Sequence, residues 1–224
     1  MQPSQHIALT EQFGSPLFVY DAAVIERQYN RLTNAFKGVD LKLHYACKAL
    51  SNQAVLKLMR SLGAGLDTVS IEEVELGLLA GYTPQEIMFT PNGVSFEEIK
   101  QAVALGVQIN IDNLVMLEKF GHEFGDSYPV CVRLNPHILA GGNHKISVGH
   151  IDSKFGISIH QVRHLKRIVE ACNLHANSAF RRSELRGAPL SHRQSRVAML
   201  AFLARISRQR TMYFAAVIMA SRKP

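Results

Sequence analysis

The chain has 224 residues, 47% hydrophobic and 19% charged, which suits one large domain or two small ones and excludes wholesale disorder. Its net charge of +7 is uneven: residues 1–174 hold 15 Lys and Arg against 17 Asp and Glu, whereas residues 175–224 hold ten against the single Glu184. No run reaches the roughly 20 apolar residues of a membrane span, Met1 to Thr10 lacks a signal-peptide pattern, and Cys47, Cys131 and Cys172 form no CxxC pair or disulfide framework, so the sequence reads as cytoplasmic.

Taken in chain order, Phe18 to Tyr20 is predicted as a short strand. Asp21 then caps a helix through Val24, Tyr29, Leu32 and Phe36. Leu41 to Ala46 is a strand, followed by a helix capped by Ser51 or Asn52 and stopped at Gly63. Gly65 to Val69 is a strand, and Ser70 starts a helix that ends at Gly81. Ile87 to Phe89 is a strand, and Ser95 caps a helix to Leu105 with Glu98 at the capping-box position. Val107 to Ile111 is a strand and Asn113 to Phe124 a helix. Pro129 to Leu134 is a strand of continuous apolar type, as expected when both faces are covered. A Gly- and His-rich loop from Asn135 to Lys154 leads to a helix from Ser158 to Ala171.

Five βα units in series predict an α/β protein with a parallel sheet, either doubly wound or part of a (β/α)8 TIM barrel. No GxGxxG follows the first long strand, which disfavours a dinucleotide-binding sheet. In a barrel the chemistry sits at the C-terminal strand ends. Those ends carry Lys48, Asp67 with Ser70, Thr90 to Asn92, Asp112, and Arg133 with Asn135. A lysine just past a buried strand end can lose hydration and become a nucleophile toward aldehydes; the bland alternative is a lysine snorkelling at a barrel mouth. Five units cannot close a barrel, so an open edge and an exposed apolar face are expected, both aggregation hazards.

Tyr45-Ala46-Cys47-Lys48-Ala49 resembles the Tyr-Ala-x-Lys signature of pyridoxal-phosphate (PLP) enzymes with the alanine-racemase-type barrel. Gly63-Ala64-Gly65-Leu66-Asp67-Thr68-Val69-Ser70 is similar to that family's Gly-x-Gly-Phe-Asp-x-x-Ser strand. Val132-Arg133-Leu134-Asn135-Pro136 is similar to its Arg-x-Asn-Pro strand end, and Ser153-Lys154-Phe155-Gly156 to its Ser-Lys-Phe-Gly loop. The opening Ser15-Pro16-Leu17-Phe18-Val19-Tyr20-Asp21 resembles that of the diaminopimelate and related decarboxylases. Four ordered motifs together are specific where each alone is weak.

The resemblance implies an alanine-racemase-like barrel that holds PLP, with Lys48 as the catalytic Schiff-base lysine and Asp67 and Arg133 lining the cofactor pocket. It implies decarboxylation of meso-2,6-diaminopimelate to L-lysine and CO2, with carboxynorspermidine or another basic-amino-acid decarboxylase as the alternative. It also implies a homodimer with shared sites, Lys154 reaching the partner subunit. Glu73 matches an acidic position, although a carboxylate in the first turn of a helix is favoured by the dipole in any case. The sequence departs from the family pattern at Ile71-Glu72-Glu73 and at Thr90-Pro91-Asn92-Gly93.

The resemblance runs to Leu174. After it the Gly-Leu-His-x-His-x-Gly-Ser strand, the Gly-rich phosphate loop and the Cys-Asp/Glu motif are not found. Residues 1–174 are therefore expected to be the N-terminal part of the barrel. Residues 175–224 are expected to be a shifted reading frame or foreign sequence, and the chain alone to be inactive. The competing reading is a genuine basic tail, with a helix over 193–210 that binds RNA or a membrane surface. From another class, the chain could be a non-catalytic PLP-binding module. His44, His122, His137, His144, His150, His160 and His164 show no metal-ligand spacing, and three of them share the 135–154 loop.

Overall fold

The computed structural model describes residues 2–36, 41–135, 137, 155–174 and 212–216. The chain divides into two compact units, residues 1–38 with 218–224, and residues 39–217.

The first unit contains α1 (Pro3–Phe13) and α2 (Ala22–Ala35). Asp21 caps α2 as the sequence predicts, accepting from the Ala23 and Val24 N–H groups at 3.0 and 3.4 Å. The predicted strand at Phe18–Tyr20 is not found. That segment is extended, but among the described residues it joins no ladder, and Phe18 is 85% exposed. Helix α1 was not expected; it opens with Pro3 at its first turn and buries no residue.

The second unit is a parallel sheet with helices between its strands. Its strands are β1 (Leu41–Ala46), β2 (Gly65–Thr68), β3 (Ile87–Phe89), β4 (Gln108–Ile111) and β5 (Val130–Val132). They lie side by side in chain order, all parallel, as serial βα units joined by helical crossovers give. Between them run α3 (Gln53–Ser61), α4 (Ile71–Leu79), α5 (Phe96–Ala104) and α6 (Leu114–Phe124). Asn52, Ser70, Ser95 and Asn113 cap these four helices, Ser95 in a full capping box with Glu98. Past β5 the two-residue strand β6 (Leu134–Asn135) pairs with β7 (Ile157–Ser158), which leads through a 3-10 turn into α7 (Val162–Ala171).

All three residues of β3 are buried, the pattern of a strand covered on both faces. Leu66, Ile87, Phe89, Ile109 and Ile111 from the strands meet Leu56, Met59, Ile99, Leu117 and Phe120 from the helices, each 2% exposed or less. This core keeps neighbouring strand ends in register and so fixes where the polar residues beyond them stand.

The outer edge of β1 is paired, although among the described residues the sheet itself stays open, as expected. β8 (Met212–Ala216) pairs with it in parallel, from Leu41 opposite Met212 to Tyr45 opposite Ala216. An unpaired row of N–H and C=O groups attracts any extended apolar segment, and here the chain supplies one itself. The proposed helix over 193–210 lies outside the described residues.

Candidate active site at the strand ends

Because β1 to β5 are parallel, their C-terminal ends share one end of the sheet. Lys48 lies in the 3-10 turn Cys47–Ala49 directly after β1, and Asp67 is the third residue of β2. Thr90 follows β3, Asp112 follows β4 and Arg133 follows β5.

Asp67 is 9% exposed. Its burial pushes the carboxyl above the usual carboxylate range; a hydrogen bond from the Thr90 side chain and the charges of Lys48 and Arg133 oppose that rise. Both predicted cations thus act on the one predicted carboxylate. Of the two readings of Lys48 from its position, the structure matches the exposed lysine rather than the desolvated one: the turn after β1 carries it past the buried Cys47 toward solvent.

Glu73 lies close enough to share this field. Its carboxylate accepts the Val69 N–H at 2.8 Å while its own N–H donates to the Ser70 hydroxyl at 3.3 Å. Burial raises its pKa first of all, the Val69 bond lowers it, and Asp67 and Lys48 act on it in opposite senses. Glu73 thus holds the start of α4 while lying in the field of Asp67 and Lys48. Cys47 is fully buried, and desolvation reinforced by Glu73 and Asp67 pushes its thiol up to about 12, which leaves it an apolar filler rather than a nucleophile.

Arg133 is aimed by the second pair of motifs. Its backbone N–H donates to Ile111 and its carbonyl accepts from Ile157, both at 2.8 Å. Its guanidinium lies 4.7 Å from the centre of the Phe155 ring. Gly156 has φ 79°, and a Cβ there would stand 3.0 Å from the Asn135 nitrogen and 3.2 Å from the Arg133 carbonyl oxygen. The Phe-Gly of one motif therefore sits on the Arg-x-Asn of the other, which gives their joint occurrence a physical cause. Phe155 is a residue that sequence reasoning quoted without giving it work. Lys154, His144 and His150 lie outside the described residues. Among the described residues no group of three or more His, Cys, Asp or Glu could hold a metal, and no helix is long and apolar enough to cross a membrane.

Chemically, the set suits an anionic aldehyde. Lys48 offers an exposed primary amine, Arg133 a fixed planar cation, and Asp67 a buried carboxylate under the influence of both. Pyridoxal phosphate fits these three residues.

One stability prediction follows from Asp67. Its folded-state pKa is raised above 3.8, so the folded protein holds that proton more tightly than the unfolded chain. The stability this contributes is full at low pH and is lost as pH rises through the raised value. Asp67→Asn is therefore expected to stabilise the protein at neutral pH by about 1 kcal/mol, with the gain shrinking as pH falls toward 3.8. Urea unfolding across pH checks this, and a destabilised variant at neutral pH would show that its polar partners outweigh burial.

A family model described as pyridoxal-dependent decarboxylase, pyridoxal binding domain, matches residues 22–176. The diaminopimelate decarboxylase of Methanothermobacter thermautotrophicus is 35% identical over 153 residues, which cover 67% of this chain and 36% of that protein. That of Pseudomonas fluorescens is 38% identical over 157 residues, covering 68% and 38%. Among solved structures, diaminopimelate decarboxylase from Helicobacter pylori complexed with L-lysine superposes with a TM-score of 0.67 at 31% identity, over 74% of this chain and 43% of that one. Lysine/ornithine decarboxylase from Vibrio vulnificus complexed with putrescine gives 0.64 at 29%, over 77% and 43%. The chain thus spans about two fifths of the length of the relatives it matches.

Proposed function

Because the chain belongs to the pyridoxal-dependent decarboxylases, we propose that its strand-end site holds pyridoxal phosphate through Lys48 and serves decarboxylation of meso-2,6-diaminopimelate to L-lysine and CO2. The observation that carries the reading is that Lys48, the buried Asp67 and Arg133 all stand at the C-terminal ends of parallel strands of one sheet, where the charges of Lys48 and Arg133 act on Asp67. When bound, pyridoxal phosphate supplies an electron sink for the carbon that loses carbon dioxide. The protein's own residues do the rest. Lys48 would provide the amine that holds the aldehyde group. Arg133, stacked on Phe155, offers fixed positive charge to an anionic group. Lys48 acts electrostatically on both Asp67 and Glu73, so its amine stands in the field of two acidic side chains.

The family resemblance extends the reading to a homodimer in the cytoplasm, lysine synthesis as its context, and Lys154 at the subunit boundary. Residues 1–174 are the barrel part in this proposal and residues 175–224 a basic segment of separate coding history. Reading all three frames of the gene beyond the Leu174 codon tests that division. The match to lysine/ornithine decarboxylase favours one second reading, a different basic amino acid as substrate.

The test is to incubate the purified chain with pyridoxal phosphate, reduce it with borohydride and locate the modified residue by mass spectrometry. Carbon dioxide release from diaminopimelate, lysine and ornithine is then assayed. A pyridoxyl group on Lys48 is expected, with no carbon dioxide from this 224-residue chain by itself. A longer form carrying the remaining motifs is expected to act on diaminopimelate in preference to the others. Absence of modification at Lys48 overturns the site, and preference for ornithine or lysine overturns the substrate.

A further inference from the structure

Strand β4 divides its residues between two faces. Ile109 and Ile111, 1% and 2% exposed, belong to the core under the helices, while Gln108 and Asn110 alternate with them and are only partly covered. The ladders show what that second face carries. Asp67 of β2 stands opposite Met88 of β3, and Met88 opposite Gln108 of β4. Asn110, two residues on from Gln108, therefore shares a face with Asp67. Cys131 of β5 stands opposite Asn110. The bond from the Arg133 N–H to the Ile111 carbonyl, 2.8 Å long, carries that ladder on to Arg133, two residues beyond Cys131 and so on the same face. Asn110 thus lies on the face of Asp67 and Arg133, at the next-to-last position of β4, one strand or roughly 5 Å from the strand that leads to Arg133.

On that face the Asn110 carboxamide oxygen is buried and has no hydrogen-bond partner among the described residues. The donors along and across the ladder are weak or committed elsewhere. Cys131 offers only a weakly donating thiol. The Gln108 amide donates to the Gln85 carbonyl at 2.6 Å. Just past β4, the Asn92 and Asn113 amides donate to Asp112 at 2.6 and 3.1 Å. A buried acceptor left unpaired lowers stability, and an aliphatic side chain at the same strand position would carry no such cost.

We propose that Asn110 is a further binding residue of the strand-end site, its carboxamide oxygen accepting a hydrogen bond from a hydroxyl or protonated nitrogen of a small molecule held on the face of Asp67 and Arg133. The inference rests on the reading of that end of the sheet as the pyridoxal phosphate site, and pyridoxal phosphate carries donors of both kinds. Asp67 and Arg133 supply charge of either sign. Asn110 adds a neutral acceptor, which selects for a donor at one place without altering the charge of the site.

The experiment compares wild type with Asn110→Leu, which loses the acceptor at similar volume, and Asn110→Ala, which loses it without adding bulk. One readout is urea unfolding of the ligand-free protein. The other is retention of pyridoxal phosphate, measured by equilibrium dialysis. A structural role for the carboxamide would lower both together; a binding role separates them. At least one variant is expected to unfold at no lower urea concentration than wild type, while both retain pyridoxal phosphate about fivefold more weakly, the usual worth of one neutral hydrogen bond. Unchanged retention in both variants overturns the inference. A urea midpoint lowered in both also overturns it, because an oxygen already paired in the ligand-free chain is not available to a ligand. A wild type that retains no pyridoxal phosphate overturns the site reading and the inference with it, whereas retention that wild type and both variants share equally overturns the inference alone.

Discussion

Replacing Lys48 with alanine is expected to remove the borohydride-fixed pyridoxyl group to background, the largest single effect any side chain of this molecule should have on cofactor capture. Nine other lysines remain in the chain, among them Lys42, Lys57, Lys100, Lys119 and Lys166. What they lack is placement. Lys100 is paired with Glu97 at 3.0 Å and Lys166 with Glu170 at 3.7 Å on helix surfaces. Lys48 alone among these follows directly on the end of a central strand and acts on the buried Asp67. An amine held beside its target reacts as though present at very high local concentration, an advantage of several orders of magnitude over a free surface amine. Lys48→Arg sharpens the test. It keeps a positive charge beside Asp67 and Glu73 but cannot join an aldehyde, so it should fold at least as well as the alanine variant and be equally empty. Wild-type levels of modification in Lys48→Ala, or a modified residue that maps to Lys42, would remove the basis for the site.

Much of this arrangement was legible from local pattern. Capping chemistry is written in three or four adjacent residues, so Asn52, Ser70, Ser95 with Glu98, and Asn113 announced their helices. Apolar runs such as Ile87–Phe89 announced their strands. The failures share a different cause. A strand exists only with a partner, and Phe18–Tyr20 has the composition of one but joins no ladder among the described residues. The partner of β1 is Met212–Ala216, more than 160 residues further along the chain, and no local pattern encodes that pairing. Helix α1 offered Pro3 and the Gln2–Gln5 capping box as signals, but its exposed Ile7 and Phe13 make no buried stripe.

The site divides along the same line. Strand-end position picked out Lys48, Asp67, Thr90 and Arg133 without reference to any relative. The contacts that give them work depend on which strands are neighbours. Thr90 stands against β2 because β3 lies beside it, its N–H donating to the Thr68 carbonyl at 2.8 Å. Phe155 meets Arg133 because β7 pairs with β6 although it lies some way further along the chain. A sequence can name such residues as polar, aromatic or glycine, but the pairing between them is a property of the sheet.

Gly65→Ala is expected to cost about 1–3 kcal/mol, the usual range for overpacking a filled site, and to loosen Asp67 two residues along the same strand. A Cβ at position 65 would stand 2.7 Å from Cε1 and 2.8 Å from Nδ1 of His44, and 2.9 Å from the Glu86 carbonyl oxygen. His44 is directly opposite Gly65 in the β1–β2 ladder, is 4% exposed, and has its Nδ1 3.3 Å from the Leu66 carbonyl. The ring cannot turn away without leaving that carbonyl, and the Glu86 oxygen is backbone at the start of β3. Strand β2 must therefore yield, and Asp67 moves with it relative to Thr90, Lys48 and Arg133. The double variant His44→Ala with Gly65→Ala removes the ring but not the Glu86 oxygen, so recovery should be partial, and the shortfall from additivity measures the ring's share. The comparison is best made in mildly alkaline buffer. Burial holds the His44 imidazole below its ordinary 6.5, with Lys42 adding to the fall and the Leu66 carbonyl opposing it. The unfolded chain then binds that proton more readily, and stability from His44 is lost as pH falls below 6.5. Variants without His44 should lack this acid-side loss. If Gly65→Ala melts with wild type and keeps its pyridoxal phosphate, the second glycine of the Gly-x-Gly-Leu-Asp segment has no packing role, and the close approach of β2 to His44 is not what fixes the carboxylate.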